Sequence, residues 1–291
     1  MILLPDPSAF RKIRLATPED VLRLGIICTA SFRYSEQFIW ERPYHAEYPQ
    51  DTIVFFRHEV RSLIEDPKMI VAVAVDEYDP EESSKTGATI PVDSGWTPPD
   101  RGDEVVVGIA VWQLEPGSKR IGHFQSSSRN YPALPKCLHR DENPTRVKII
   151  QKVYEELEHK YFGKVSAMER TAVHPAYWKR GHGSTLAKWG LDLAKIDKVN
   201  QAVLATSMGA SLFKHMRFKL ITEHQIDGGE EDPTGYIIAV REYFVNGGNC
   251  SVDFHTLVYR SSCLKENMLA SHQMDTWGLG CMSMNKSSNN K

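Results

Sequence analysis

The sequence predicts a mixed α+β fold built on a largely antiparallel sheet, and three features predict it. "MIVAVAV" at 69–75 and "EVVVGIAVWQL" at 104–114 are apolar, β-branched runs of strand length. "VKIIQKVYEELEHKY" at 147–161 reads as a helix, and residues 183–195 set Leu186, Trp189, Gly190, Leu193 and Ala194 on one helical face. Finally, strand runs follow one another across polar connections, at 68–78 with 104–114 and at 219–226 with 236–244, so they pair as hairpins.

The chain has 291 residues, enough for one large domain or two small ones. Apolar residues make up 41% and charged residues 25%, the profile of a soluble globular protein. The 35 basic residues are matched by 37 acidic ones, which argues against a general nucleic-acid binder and leaves room for a local anion pocket. Cys28, Cys137, Cys250, Cys263 and Cys281 are odd in number and form no CxxC pair, so neither a disulfide framework nor a zinc site is expected. The opening Met1-Ile2-Leu3-Leu4-Pro5 is too short an apolar run for a secretory signal. No stretch approaches the ~20 apolar residues of a membrane span. A cytoplasmic protein without a metal is the expectation.

In chain order, residues 13–16 read as a short edge strand. Thr17-Pro18-Glu19-Asp20 is a helix start, with Thr17 as N-cap and Pro18 at the first helical position. A second helix is expected over 52–65, ended by Asp66-Pro67. The segment 79–103, rich in Pro, Ser, Gly, Asp and Glu, reads as an exposed loop. Residues 115–145 show no period and read as an irregular insertion. A strand at 165–173 ends in His174-Pro175. After the helix at 183–195 come a short strand at 202–206 and a brief helix at 211–216. "FHTLVYR" at 254–260 is a candidate last strand, and 264–291 reads as a mobile tail.

Between the strand at 165–173 and the next helix lies "HPAYWKRGHGSTL", residues 174–186. Gly181 and Gly183 carry no Cβ, so a ligand can approach this backbone closely. The amides of Arg180, Gly181, His182, Gly183 and Ser184 would point out of a helix N-terminus, where the helix dipole favours a phosphate or pyrophosphate. Lys179 and Arg180 add positive charge. A tight turn before a surface helix explains the glycine pair equally well. The segment is not a P-loop, because it lacks GxxxxGK[ST], and Leu186 stands where a dinucleotide fingerprint needs its third glycine.

Two segments together resemble the GNAT superfamily of acetyl-CoA-dependent N-acetyltransferases. In that family a [Q/R]-x-x-G-x-[G/A] turn follows a strand that commonly ends in V-x-P. Here Val173-His174-Pro175 precedes Trp178-Lys179-Arg180-Gly181-His182-Gly183, which departs from the pattern at Trp178. "ATSMGASLFKHMRF" at 205–218 resembles a family stretch like "EASPxGxxLYxxxGF", with Gly209, Leu212 and Phe218 in register.

The resemblance implies a twisted, mostly antiparallel sheet of six to seven strands, splayed at the coenzyme A site and flanked by helices. It implies an acyltransferase domain over 1–245, with insertions near 79–103 and 115–145, and a C-terminal extension over 246–291. The implied reaction is direct attack by an amine of a small molecule or peptide on the thioester of acetyl-CoA, in a ternary complex. The implied acetyl-CoA contacts are Ala172 and Val173 on the strand, Lys179, Arg180, Gly181, His182, Gly183 and Ser184 in the turn, and Thr206 and Phe213 beyond. An N–H near Val173 is the implied donor to the thioester carbonyl.

The base in such enzymes often stands on this same strand. Alternation sets Ala167, Glu169 and Thr171 on one face and Met168, Arg170 and Ala172 on the other, and makes Glu169 the catalytic candidate. The same carboxylate also reads as a surface charge paired with Arg170. The family's usual general acid is a Tyr at the position of Phe213, which has no hydroxyl. The thiolate then leaves unprotonated, Tyr236 or Tyr243 supplies a proton, or the chain binds acyl-CoA with weak or no transfer as a regulator or subunit. The acceptor site falls to the first two helices and the segment 31–49 between them. There Phe32, Tyr34, Trp40 and Tyr44 stand among Glu36, Glu41 and Glu47, a set suited to an amine on an apolar body. A loop packed over the core uses the same aromatics.

Overall fold

Seven strands form one sheet in the computed structural model, which describes residues 4–5, 12–91, 94–228 and 235–245. The strands are β1 (Lys12–Leu15), β2 (Met69–Glu77), β3 (Glu104–Gln113), β4 (Ser166–Val173), β5 (Gln201–Ala205), β6 (Lys219–Ile226) and β7 (Tyr236–Tyr243). Their order across the sheet is β1-β2-β3-β4-β5-β7-β6. Every neighbouring pair is antiparallel except β4 and β5. The expected mixed fold and its mostly antiparallel sheet are therefore present. The candidate strand at 254–260, the tail and the boundary proposed at 245/246 lie outside the described residues or at their edge.

Six α-helices accompany the sheet among the described residues: α1 (Val21–Phe32), α2 (Glu36–Glu41), α3 (Pro49–Glu65), α4 (Pro144–Tyr161), α5 (His182–Asp197) and α6 (Ser207–His215). None is long and apolar enough to cross a membrane. α1 and α3 cover one face of the sheet, packing on Val71, Val73, Ile109 and Val111. On the opposite face α5 and α6 meet Ala72, Ala74, Trp112 and Val203. α2 and α4 extend the first layer, with Trp40, Ile150 and Leu157 against Ala167, Ala202 and Ile238.

Local chemistry explains the starts. The Thr17 N–H donates to Asp20 Oδ2 at 2.8 Å, and a short 3-10 turn over Pro18–Asp20 leads into α1. Asn143 caps α4, its Oδ1 accepting from the N–H of Thr145 at 3.1 Å and of Arg146 at 3.2 Å.

Two connections differ from expectation. The segment 31–49 is not a plain loop, because Glu36–Glu41 forms a short helix. Six residues carry no readable period; the helix is held by burial of Phe38 and Trp40. The loop at 79–103 is not simply exposed either, since Glu82 and Ser94 are buried. Arg23 on α1 is itself buried and needs a counter-charge, which Glu82 supplies as a two-pronged partner, with Nη2 to Oε2 at 2.8 Å. The insertion at 115–145 is irregular, as expected, and is tied down at its end. Buried Asp141 accepts from Arg42 Nη1 at 2.6 Å and Thr52 Oγ1 at 2.8 Å.

Candidate active site

The parallel pairing of β4 with β5 is short. It runs from Ser166 opposite Gln201 to Met168 opposite Val203 and stops there, although β4 continues to Val173. Residues 170–173 of β4 therefore keep their β3 partners and leave the β5 side of the strand open.

The register shows which groups face this opening. The His174 N–H donates to Val107 O at 2.9 Å, and Val173 lies opposite Gly108. Val173 is thus in a non-hydrogen-bonded pair with β3, and its own N–H and C=O point away from β3, into the opening. Thr171, opposite Ala110, does the same. Ala172 does not: opposite Ile109, it turns its N–H and C=O to β3, which corrects the expectation that its backbone also serves a ligand.

Glu169 sits on a β-bulge. Val111 pairs with Arg170 and Trp112 with Met168, so Glu169 is an extra residue on β4. This corrects the expected alternation, because an inserted residue resets the period of 2. Met168 and Thr171 share the α5 side, with Thr171 Oγ1 3.1 Å from Met168 Sδ. Arg170 and Ala172 face α1 and α3, where Arg170 pairs with Glu59 and lies 5.1 Å over Phe32. Glu169 itself is exposed.

The turn after β4 lies on the α5 side. Gly181 is the N-cap of α5 and has φ +87°, a conformation that L side chains rarely adopt. The first helical bond is Thr185 N–H to Gly181 O at 2.9 Å, so the residues between are the N-terminal donors of the helix. A Cβ on Gly183 would meet only Val173 Cγ2, at an ordinary 3.8 Å. Nothing in the chain itself therefore requires glycine at 183. The cradle fits a pyrophosphate on these grounds.

The basic side chains of the turn are less free than the sequence suggests. Arg180 reaches back to Asp76 Oδ2 at 3.3 Å and lies 4.9 Å over Tyr177. The His182 ring is buried, with Nε2 2.8 Å from Asp76 Oδ2, so only its backbone faces outward at the helix start. Burial acts to raise the Asp76 carboxyl, but bonds from the Glu77 N–H, His182 and Arg180 outweigh it and hold it below the usual range. Lys179 has φ 62°. His174 is fully buried and burial pushes it down to about 4, so its ring is neutral.

Trp178, where the family pattern has Gln or Arg, donates its indole N–H to Val173 O at 2.6 Å. Its ring meets Tyr34 edge-on at 5.0 Å. The Tyr34 hydroxyl in turn accepts from the Gly87 N–H at 2.8 Å. The turn, the segment 31–49 and the loop 79–103 thus join at one corner of the opening.

The remaining expected residues scatter. Thr206 is the N-cap of α6 and makes no side-chain cap bond. Phe213 is 6% exposed and packs on Phe218 at 5.3 Å, inside the core. Tyr243 pairs with Gln201, at the end of β5 away from the opening, so it is badly placed as a proton donor. Tyr236 is at the near end but buried. Phe32 stacks on Phe56 at 5.6 Å, and Trp40 is buried against Tyr236 at 5.8 Å.

A second cluster escaped the sequence reading. Gln37 Nε2 donates to Glu41 Oε1 at 2.8 Å, and the Tyr154 hydroxyl donates to Gln37 Oε1 at 2.5 Å. Burial pushes Glu41 up to about 7, against the Gln37 bond and the charges of Arg42 and Arg170. The buried Tyr236 hydroxyl and Trp40 Nε1 have no hydrogen-bond partner among the described residues. Only the mixture of Glu and aromatic residues at 31–49 hinted at this group.

No family model matches the chain. It is 30% identical over 241 residues to a protein named acetyltransferase from Stachybotrys chartarum (strain CBS 109288 / IBT 7711), over 82% of this chain and 93% of that one. Its fold is also similar to two solved structures. One is a histone acetyltransferase HPA2 and related acetyltransferase from Corynebacterium glutamicum, with a TM-score of 0.46 at 15% identity over 80% of this chain and 94% of the other. The other is an acetyltransferase of the GNAT family from Streptococcus pneumoniae, with a TM-score of 0.39 at 10% identity over 80% and 98%. Both are likenesses of fold alone.

Proposed function

The chain belongs to the GNAT acetyltransferases, and from that membership we propose that it transfers the acetyl group of acetyl-CoA to an amine of a small molecule or peptide, by direct attack in a ternary complex. The observation that carries this reading is the opening beside β4. There the N–H groups of Thr171 and Val173 face an unpaired side of the sheet, next to the glycine-bounded N-terminus of α5. The pyrophosphate rests on the amides of Gly181, His182, Gly183 and Ser184, with Lys179 and Arg180 beside it and Thr206 across the opening. The pantetheine arm runs along the open edge of β4, and the Val173 N–H donates to the thioester carbonyl as charge develops on its oxygen. Glu169 is the carboxylate that β4 itself brings to the mouth of the opening. Phe32, Tyr34 and Trp40 border the acceptor side.

Binding of coenzyme A to wild type and Gly183→Ala, followed by calorimetry, tests the cradle. The added methyl meets only Val173 in the folded chain. Thermal stability is therefore expected to hold or rise, while coenzyme A affinity falls at least about tenfold. Equal affinity in both proteins would remove the pyrophosphate from this turn. Thiol release from acetyl-CoA with a panel of amines then tests transfer.

A second reading is favoured by Phe213, which gives the leaving sulfur no hydroxyl. On that reading the chain binds acyl-CoA with weak or no transfer and acts as a regulator or subunit. Tight coenzyme A binding without turnover on any amine would select it.

A further inference from the structure

The turn that receives the pyrophosphate lies on the α5 side of the sheet, and α1 to α4 cover the other side. On that other side stands the cluster of Glu41, Gln37, Tyr154, Trp40 and Tyr236. Its floor is Ala167 of β4, Ala202 of β5 and Ile238 of β7, beside the last paired residues before β4 and β5 part. Arg170, beyond that point on β4, faces this same side and acts on the charge of Glu41, so an acceptor arriving from the α2/α4 side meets β4 next to its open edge.

This cluster is built as a site. Trp40 and Tyr236 are each 4% exposed, and the Trp40 Nε1 and Tyr236 hydroxyl have no partner among the described residues. Buried polar groups are ordinarily bonded, so two unpartnered groups on rings 5.8 Å apart point to a ligand that meets them. Beside them Glu41 is held in one pose by Gln37, which is held in turn by Tyr154. The chain of contacts runs from α4 through α2 to the carboxylate.

We propose that Glu41 is the general base of this transferase and takes the proton from the acceptor amine. The inference rests on the transferase reading above. The acceptor nitrogen attacks the thioester carbonyl carbon, so that the C–N bond forms and the C–S bond breaks. The electron pair of the broken bond leaves on sulfur as the thiolate of coenzyme A. The proton given up by the nitrogen passes to a Glu41 oxygen and then to water. The Tyr236 hydroxyl and Trp40 N–H meet the acceptor molecule, and Gln37 and Tyr154 act as positioning residues.

Charge around the carboxylate suits the task. Arg42 at the end of α2 and Arg170 of β4 favour its ionised form, while Glu59 of α3 and burial oppose it, leaving Glu41 at about 7. Tyr154 and Tyr236 stay protonated, burial raising both. A base poised near the working pH is most effective.

The test is turnover of acetyl-CoA by the full chain with phenethylamine, spermidine and a short peptide with a free amino terminus, across pH 5.5–9. Wild type is expected to show a rising limb in kcat near pH 7. Glu41→Gln keeps the Gln37 bond and is expected to lose the limb and about 100-fold or more in kcat, with coenzyme A affinity within about twofold of wild type. Tyr236→Phe, which keeps its ring packing, is expected to raise the KM of the amine with the limb intact. Glu169→Gln is expected to keep the limb. The proposal is overturned if the limb survives in Glu41→Gln, or if Glu169→Gln is the variant that removes it. A wild type that binds acetyl-CoA and acetylates no amine overturns this inference and the transferase reading together, whereas turnover without a Glu41 effect overturns this inference alone.

Discussion

Arg217 stands at the end of α6 with φ 64°, where an L side chain crowds its own backbone. The turn is closed by the Phe218 N–H on Phe213 O at 2.9 Å, which fixes that conformation. Glycine at this place removes the crowding, so Arg217→Gly is expected to raise stability by up to about 1 kcal/mol, read as a higher urea midpoint at constant slope. A lower midpoint would show that the arginine side chain matters more than its backbone. At this scale the sequence was legible where a residue type has one main use. Gly181 was readable as bare backbone in a turn before a helix, and the structure adds that it is the left-handed cap. Glu169 was not readable as a bulge, because an inserted residue leaves no mark on composition and appears only in the pairing of Val111 and Trp112 with β4. Glu41 was visible only as one of several acids among aromatics, since its burial comes from α4 and β7, far along the chain.

Elements with a long period were the readable ones. The helices at 147–161 and 183–195 and the strands at 69–75 and 104–114 stand within a few residues of their expected places. α2 was missed because six residues make less than two turns. The loop at 79–103 was misread because its anchor is a single acid. Glu82 pairs with buried Arg23, accepts from the Tyr177 hydroxyl at 3.0 Å, and so fastens the loop to both α1 and the turn before α5. Glu82→Ala leaves the Arg23 guanidinium buried without its partner. It is expected to cost about 3–5 kcal/mol in chemical denaturation and to weaken coenzyme A binding, because Tyr177 then loses its hold on the turn. A cost below about 1 kcal/mol would mean that water reaches Arg23 and the loop is not held by this pair.

Over the whole molecule, two buried groups titrate against each other. His174 has an ordinary value of 6.5 and is held near 4, so between those values the unfolded chain binds the extra proton and stability rises with pH. Glu41 has an ordinary value of 4.5 and is held near 7, so between those values the folded chain binds the extra proton and stability falls with pH. Around pH 5.5 the two effects each approach one proton and are opposite in sign, so their sum is near zero. Removing one exposes the other. Glu41→Gln deletes the falling contribution and leaves that of His174, so the stability of the variant is expected to climb more steeply with pH than that of wild type. A difference of one proton corresponds to a slope difference of about 1.4 kcal/mol per pH unit. Urea unfolding of both proteins at pH 5.0, 5.5, 6.0 and 6.5 measures it without substrate or coenzyme. Parallel stability curves over this range would mean that Glu41 is ionised alike in the folded and unfolded chain, and would take from the acceptor side of the sheet the carboxylate set to work at neutral pH.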